Sequence, residues 1–295
     1  SAENVGLVDI WDPGPANIIS QVGTGAGSAA RLTINYLNHQ SGAGGGGTAS
    51  FIGLGEDLSA AGNNQIVVTN ATNVGLRNGI LPYATVQGAD GYDFATFVNV
   101  AGGQAVVALP ADAYVTSLAA AGPTSNVKLS ASETLAVSKT VNALLLAPSV
   151  VVDGASPTTT LTLDAGNLIL NAGSRLETGY LALSSSGVSA VTVAAAADRD
   201  SPAWIESVIT GGNRLSKAGR GMLVLSGANE FSGEFGIQEG IVNIRHSSAL
   251  GSPSGQTVVF NGAALELQDP SSDGSQPIVI GPEQIEVNGT GFYDP

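Results

Sequence analysis

Short segments of alternating apolar residues recur through the second half of the chain, and this repetition constrains the fold more than any other feature. Alternation over only a few residues is typical of a β-strand with one buried face. Turn-forming dipeptides such as Asp153-Gly154, Ala165-Gly166 and Ala172-Gly173 separate the segments. The segments lie at residues 127–129, 135–137, 144–146, 150–152, 161–163, 168–170, 181–183 and 191–193.

Evenly spaced short strands occur in sandwiches, barrels and solenoids, and three observations favour a solenoid. The strands are very short. The hairpin dipeptides Asn-Gly and Asp-Gly do not consistently separate adjacent strands, as an antiparallel meander would require. Only 5% of the residues are aromatic, so the core must be built from Val, Leu, Ile and Ala. We therefore predict an all-β fold, a right-handed parallel β-helix.

The predicted coil contains three strands and about 24 residues, and with ~4.8 Å between stacked strands the chain would form a rod on the order of 60 Å long. Ordering one coil costs more free energy than the burial of its few aliphatic side chains supplies. A coil should therefore fold only when neighbouring coils complete its hydrogen bonds and cover its apolar residues. We expect a fragment of a longer repeat protein, with any signal peptide outside it, since no basic and apolar leader begins at Ser1.

The two parts of the chain differ in regularity. Residues 127–295 are predicted to form regular coils, and residues 1–126 irregular coils with loop excursions. Strands are expected in the first part at residues 32–34 and 66–68. Residues 79–96 are expected to form a long excursion from the rod, which would be a candidate adhesive surface.

Charge and composition exclude several classes of partner. The formal net charge is −14, and the chain contains only 10 Lys and Arg residues, which are scattered. Nucleic-acid binding needs clustered basic side chains, so no nucleic-acid partner is expected. No apolar run approaches the roughly 18 residues of a membrane span. The absence of cysteine excludes disulfides and thiolate chemistry.

One stretch, residues 211–244, carries a specific motif: GGNRLSKAGRGMLVLSGANEFSGEFGIQEGIVNI. It contains the pattern Leu-x-Lys-x-Gly-x-Gly-x-Leu-x-Leu-x-Gly-x-Asn-x-aromatic-x-Gly, followed by Gly240 and by an Ala-Leu-Gly tail that ends at Gly251. This motif resembles the autotransporter-associated β-strand repeat, also called the passenger-associated transport repeat. Glu234-Phe235-Gly236 departs from the Gly-Gly-Thr that is usual there. The matching positions are Leu215, Lys217, Gly219, Gly221, Leu223, Leu225, Gly227, Asn229, Phe231, Gly233 and Gly240.

The resemblance implies a parallel β-helix that is exported and displayed or released at the surface of a bacterium with an outer membrane. Its expected partners are other β-helix coils of the same parent chain, and cell-surface polysaccharide or neighbouring cells are candidate adhesion targets. The motif, at residues 211–251, would serve a structural or adhesive module that acts as a rod or display scaffold and aids its own export. The alternative is a β-helical carbohydrate-active enzyme, either a polysaccharide lyase or a hydrolase.

The motif residues also have expected packing roles. Leu223 and Leu225 should face the core, and Val224 should face outward or into a shallow groove, because side chains alternate along a strand. Asn229 is expected to cap a turn and to stack in an asparagine ladder. Phe231 should cover one side of the stack. Corner positions, where a side chain would clash with the neighbouring coil, are expected for Gly219, Gly221 and Gly227.

Carboxylate pairs are the candidate chemistry, because parallel β-helices also include polysaccharide lyases and hydrolases. Glycoside hydrolysis needs two carboxylates about 5–9.5 Å apart. The best pairs are Asp90 with Asp93 and Asp198 with Asp200, of which the second pair flanks Arg199. Both lie in loops that contain Gly or Pro, where solvated acids are ordinary. We therefore predict surface loops and no catalytic residue.

No metal or cofactor site is predicted either. His39 and His246 lack nearby Cys or paired carboxylates at ligand spacing, so each is expected at a turn or on the surface. Glu266, Asp269 and Asp273 straddle a turn and are expected to form a solvated edge. No acidic run has the complete spacing of a calcium loop, and the sequence leaves open whether an acidic loop binds calcium.

Overall fold

The computed structural model describes residues 2–10, 14–39, 47–183, 189–193, 197–271 and 274–292, without the side chains of residues 72–73. Across these ranges the chain consists of β-strands with one 3-10 helix, Ala111–Ala113, so the all-β class is confirmed. No helix in them is long and apolar enough to cross a membrane. The chain forms two compact units, Ser1–Ala113 and Tyr114–Pro295.

The first unit has one eight-stranded sheet, whose strand order is β1-β3-β5-β8-β7-β6-β4-β2. Strands β1, β3 and β5 are parallel to one another, and so are β2, β4 and β6. The strands are β1 (Ala2–Ile10), β2 (Pro15–Gln21), β3 (Ala30–His39), β4 (Thr48–Leu54), β5 (Asn64–Asn73), β6 (Ala84–Gly88), β7 (Gly91–Val100) and β8 (Gly103–Ala108).

An antiparallel hairpin, formed by β7 and β8, lies in the middle of this sheet. Strand β7 pairs with β6 and β8, and β8 pairs with β5, all in the antiparallel direction. The turn from β7 to β8 uses Gly102, whose φ of 84° lies in the left-handed region that glycine adopts without strain. The parallel ladders of the first unit therefore end at this hairpin, which the sequence analysis did not predict.

The predicted excursion over residues 79–96 is wrong. The segment contains β6 and the start of β7, and Ile80, Leu81 and Phe94 are fully buried. The Gly-rich stretch between Gly88 and Gly91 is the tight turn of the β6–β7 hairpin. Its turn residues resembled a surface loop in the sequence, but the apolar residues on both sides pack into the core of the first unit.

The core of the first unit is formed by apolar side chains of neighbouring parallel strands. Ile34 of β3 pairs with Val68 of β5, and Phe51 of β4 pairs with Val86 of β6. All four belong to one buried cluster. The predicted strands at residues 32–34 and 66–68 lie in β3 and β5.

The second unit has an eleven-stranded and a seven-stranded sheet, and every strand pairing described in it is parallel. Its strands are β9 (Tyr114–Val115), β10 (Asn126–Leu129), β11 (Glu133–Leu135), β12 (Lys139–Leu146), β13 (Val151–Gly154), β14 (Thr160–Leu170), β15 (Arg175–Glu177), β16 (Tyr180–Leu183), β17 (Ser189–Val193), β18 (Ala203–Ile205), β19 (Val208–Thr210), β20 (Leu215–Ala218), β21 (Met222–Leu225), β22 (Phe235–Ile237), β23 (Gly240–Ile244), β24 (Gln256–Val259), β25 (Ala263–Leu267) and β26 (Gln284–Val287).

Successive strands stack in chain order within each sheet, and the chain returns repeatedly from one sheet to the other. Leu144 pairs with Leu168, and Leu168 pairs with Val191. These three side chains are almost fully buried and belong to one continuous core cluster. Aliphatic side chains of neighbouring strands therefore lie over one another, as the predicted parallel arrangement requires.

Three details of the predicted strand pattern are wrong. Asp153-Gly154, which was predicted to be a turn, forms the end of β13. The segment 135–137 is a strand only up to Leu135, and Val137 lies outside it with 69% of its surface exposed. Ala165-Gly166, which was predicted to be a turn, lies inside β14, where the register against β12 shifts. The extra residues form a bulge, and Gly166 takes a φ of 67° there.

Candidate functional site

The repeat motif forms part of the core of the second unit. Leu215 of β20 and Leu223 and Leu225 of β21 are buried in the continuous core cluster. Val224 alternates to the opposite face of β21, yet it is also fully buried. It belongs to a second apolar cluster on that face, which the sequence analysis missed. That cluster consists of Met222, Val224 and Ile241, with Trp204, Ala264 and Phe292 packed against it.

Lys217 occupies an unexpected position in the same core. It pairs with Val191 of β17 on one side and with Ile237 of β22 on the other, and its side chain has no exposed surface. The Nζ atom donates hydrogen bonds to the main-chain carbonyl oxygens of Gly219 and Gly221, at 2.5 and 2.6 Å. A third bond, of 2.6 Å, goes to the carbonyl oxygen of Glu239. An ammonium group has three protons, so these carbonyls satisfy it completely.

Carbonyl dipoles and one acid offset only part of the cost of burying the Lys217 charge. Burial lowers the pKa of Lys217 to about 7, and the negative charge of Glu239 acts in the opposite direction. The Glu239 carboxylate accepts a hydrogen bond from the Gly219 amide at 3.0 Å. A Cβ atom at Gly240 would lie 2.5 Å from Lys217 Nζ, so only glycine leaves room for the ammonium there. Lys217 thus forms hydrogen bonds to two neighbouring strand connections and joins them.

The motif glycines lie where one strand connection passes close to the carbonyl oxygen of another. A Cβ atom at Gly219 would overlap the carbonyl oxygen of Val193, and one at Gly233 would overlap that of Asn213. Gly219 also has a φ of 75°. Gly227 makes a similar approach to the carbonyl oxygen of Ser207. The amide of Gly221 donates to the same Val193 oxygen at 3.3 Å.

Asn229 joins its own segment of the chain to the segments about one coil before and one coil after it. Its Oδ1 atom accepts a hydrogen bond from the amide of Ile209 at 2.9 Å, and its Nδ2 atom donates to the carbonyl oxygen of Ala249 at 2.7 Å. Both partners lie 20 positions away along the chain, in opposite directions. The side chain therefore contacts backbone on both sides, and the predicted stacking of Asn229 in an asparagine ladder is wrong.

Phe231 packs under the Ala-Leu-Gly tail of the motif. Its ring lies edge-on to Phe235, with 5.7 Å between the ring centroids. A Cβ atom at Gly251 would come within 2.8 Å of the Phe231 ring, which explains the need for glycine there. Phe235 belongs to the unusual Glu234-Phe235-Gly236 segment, and its side chain is buried in the core. Glu234 forms an ion pair with Arg214.

In the second candidate pair, Asp198 is engaged in a local turn. Asp198 Oδ1 accepts hydrogen bonds from the amides of Asp200 and Ser201, at 3.0 and 3.1 Å. Arg199, between the two acids, forms a two-pronged ion pair with Glu266.

In the other pair, Asp90 is exposed, and Asp93 Oδ1 accepts a hydrogen bond from the amide of Phe94 at 2.7 Å. Asp93 lies inside strand β7 and is half-buried, so the surface loop that was predicted there is wrong for this residue. The hydrogen bond described for Asp93 thus joins it to the next residue of β7, which is a structural contact.

The two histidines lie in different surroundings, and neither belongs to a cluster of metal-binding side chains among the described residues. The described residues contain no group of three or more His, Cys, Asp or Glu side chains able to hold a metal ion. His39 ends β3 and stacks on Tyr83, with 3.7 Å between the ring centroids, and burial lowers the pKa of His39. His246 Nδ1 accepts a hydrogen bond from the amide of Ser248. Asp273 lies outside the described residues.

Asp269 is a turn residue. Its Oδ1 atom accepts a hydrogen bond from the amide of Ser271 at 2.6 Å, and its Oδ2 atom accepts one from the amide of Gln276 at 3.2 Å. The hydrogen bond from the Ser271 hydroxyl lowers the pKa of Asp269 most, and hydrogen bonds from the amides of Ser271 and Gln276 lower it further. Glu266 has a different environment, because Arg199 covers it.

A stacked cation–aromatic group on the seven-stranded sheet was not predicted. The guanidinium groups of Arg175 and Arg245 each lie 4.5 Å from the centre of the Trp204 ring. Arg175 also pairs with Glu206 at 2.8 Å and with Glu177 at 3.0 Å. Arg175 and Trp204 are register partners in β15 and β18, a relationship that only the strand alignment reveals.

Comparison with known proteins gives one partial similarity. A stretch of 90 residues, 30% of the chain, is 37% identical to part of the adhesin BmaC autotransporter of Brucella suis biovar 1 (strain 1330). The matched stretch covers 3% of that protein, so the chain corresponds to a small part of its length. No protein-family model and no solved structure matches the chain. The similarity supports a relation to an autotransporter adhesin.

Proposed function

We propose that the chain is a structural and adhesive cell-surface module of a large exported bacterial protein. Its parallel ladders would be coils of a right-handed parallel β-helix that carries the autotransporter-associated β-strand repeat at residues 211–251. The observation that carries the proposal is the 37% identity, over 90 residues, to an autotransporter adhesin. The module would act as a rod or display scaffold outside the cell.

The roles of the motif residues support a scaffold in preference to an enzyme. Lys217 and Asn229 use their polar atoms to hold backbone groups of neighbouring strands. The acids Asp198 and Asp93 accept hydrogen bonds from nearby amides. A scaffold needs these backbone contacts, whereas a glycosidase needs two acids that face a substrate.

The proposed partners are further coils of the same parent chain, cell-surface polysaccharide and neighbouring cells. Strand β26 is the last strand of the eleven-stranded sheet, and Val287 in it is 70% exposed. Another coil would pair with this strand and cover that side chain. No nucleic-acid partner is proposed, since the net charge is −14.

Adhesion is tested by displaying the chain on a non-adherent bacterium and counting the cells that attach to cultured epithelial cells. The control strain is the same bacterium without the displayed chain. We expect the displayed chain to increase attachment. Equal attachment of both strains would contradict the adhesive role, and turnover of any polysaccharide in a panel would favour the enzyme.

The export role is tested by deleting residues 211–244 from the parent protein. If folding of the repeat outside the cell helps to draw the chain out, surface display should fall. The control is the substitution Arg199→Ala, because this residue is exposed and lies outside the motif. Normal display after the deletion would refute the export role and leave the scaffold role intact.

A further inference from the structure

The second unit begins with a short segment that covers the end of its core. Residues 114–122 precede β10 and contain only the two-residue strand β9. Leu118 and Ala121 of this segment are buried, and they belong to the core cluster that also contains Val127 and Leu135. The segment therefore shields from water the aliphatic side chains at the start of the ladder.

Two charged side chains fasten this segment to the strands behind it. Lys139 Nζ donates hydrogen bonds to the carbonyl oxygens of Leu118 and Ala119, at 2.5 and 2.9 Å. Glu133 accepts a hydrogen bond from the Leu118 amide at 2.8 Å. The backbone of Leu118 is thus held through both its donor and its acceptor. Lys128 also lies over the Tyr114 ring, 5.3 Å from its centre.

The first unit ends in a different way. Its parallel strands β5 and β6 pair with the antiparallel strands β8 and β7. Exposed edges of β-sheets accept further strands, and a paired edge does not. A Cβ atom at Gly103, where β8 begins, would overlap the carbonyl oxygen of Val68, so β8 lies tightly against β5. The parallel ladder of the first unit therefore stops before Ala113.

We infer that residues 114–122 are a built-in N-terminal cap at which a new parallel ladder starts, so that the ladders before and after Ala113 unfold in separate cooperative transitions. In a stacked ladder, stability passes from each strand to the next through their shared hydrogen bonds and core contacts. A closed ladder followed by a capped one interrupts that transfer. The chain would thus contain two cooperative units in the sense that hydrogen exchange detects.

The first test is hydrogen exchange of the full chain, with the Phe51→Ala variant. Phe51 is fully buried in the first unit. We expect exchange in β3 and β5 to become at least about tenfold faster, because their core is disrupted. Exchange in β12 and β14 should stay unchanged. Acceleration of similar size in β12 and β14 would show a single cooperative unit and overturn the inference.

The second test removes the cap contacts in the full chain. Leu118→Ala empties the covered core position, and Lys139→Met removes both hydrogen bonds to the segment. Each variant should accelerate exchange in β10 and β12 and leave β3 and β5 unchanged. Val137→Ala is the matched control, because this nearby side chain is exposed. Unchanged exchange in β10 and β12 in both variants would show that residues 114–122 are not a cap.

Discussion

The Lys217 ammonium lies 2.6 Å from the main-chain carbonyl oxygen of Glu239, and this bond joins two successive connections between the sheets of the second unit. The lysine occupies a core position, between Val191 and Ile237 in the ladder. A buried ammonium is tolerated only when polar atoms replace its water shell. Here carbonyl groups do so, because the motif glycines let the backbone come close to the Nζ atom.

Replacement of this lysine should destabilise the second unit. Lys217→Met keeps the length and apolar stem of the side chain but leaves three carbonyl oxygens without their donor. Below pH 7, where the folded chain keeps Lys217 protonated, we expect the free energy of unfolding to fall by about 2 kcal/mol, since the lost hydrogen bonds are partly offset by removal of a buried charge. Urea titration followed by Trp204 fluorescence, in a Trp11→Phe background, measures the change.

The matched control for that measurement is Arg220→Met, which changes a neighbouring exposed cation. It should alter the free energy of unfolding by less than about 0.5 kcal/mol. Equal effects of the two substitutions would show that the three carbonyl contacts of Lys217 contribute nothing specific.

The same lysine should make stability depend on pH. Burial lowers the pKa of Lys217 from 10.5 to about 7, so the unfolded chain binds the proton more tightly than the folded chain. Between these two values the free energy of unfolding should therefore rise with pH, at up to about 1.4 kcal/mol per pH unit. The Lys217→Met variant lacks this contribution and serves as the reference. A constant difference between the two proteins from pH 7 to 10 would contradict the prediction.

Asn229 should matter through its two backbone contacts. Asn229→Ala leaves the Ile209 amide and the Ala249 carbonyl group without their side-chain partner in a buried site. We expect a loss of about 2–3 kcal/mol in the free energy of unfolding. Asn288→Ala, at an exposed position of the same unit, is the control and should change stability little. Comparable small losses in both variants would mean that the Asn229 bridge is energetically unimportant.

Much of the second unit could be predicted from sequence because alternation and burial are local signals. Segments such as 144–146 and 168–170 lie in strands, and their Leu residues stack as parallel pairing requires. Parallel pairing could be inferred because short strands without hairpin turns must return to the same sheet by a crossover.

The remaining features depend on which strands become neighbours, and no local pattern gives that information. The antiparallel pairing of β7 with β8 ends the first ladder, and no sequence pattern indicated it. Trp204 of β18 meets Arg245, which directly follows β23, only because these two strands lie close in one sheet. Likewise, a lysine in an alternating segment predicts an exposed face, and only the nearby carbonyl groups make a buried position possible.

The glycine corners give a steric prediction. A methyl group at Gly233 would overlap the carbonyl oxygen of Asn213, whereas one at Gly212 would meet only the Ser232 hydroxyl, at 3.8 Å. Gly233→Ala should therefore lower the free energy of unfolding by about 2–3 kcal/mol, because the backbone must move apart. Gly212→Ala should be neutral or stabilise by up to about 1 kcal/mol. Equal unfolding midpoints of the two variants would contradict the close approach.

The last prediction contrasts the core with the acidic loop. Leu225→Asp places a carboxylate in a fully buried position without a partner, and it should cost about 4 kcal/mol or more. Asp198→Asn keeps the oxygen that accepts hydrogen bonds from the amides of Asp200 and Ser201, so stability should change by less than about 0.5 kcal/mol. Urea titration by Trp204 fluorescence measures both. A large loss in Asp198→Asn would mean that the negative charge itself is needed, and would renew the case for an acidic functional site in this loop.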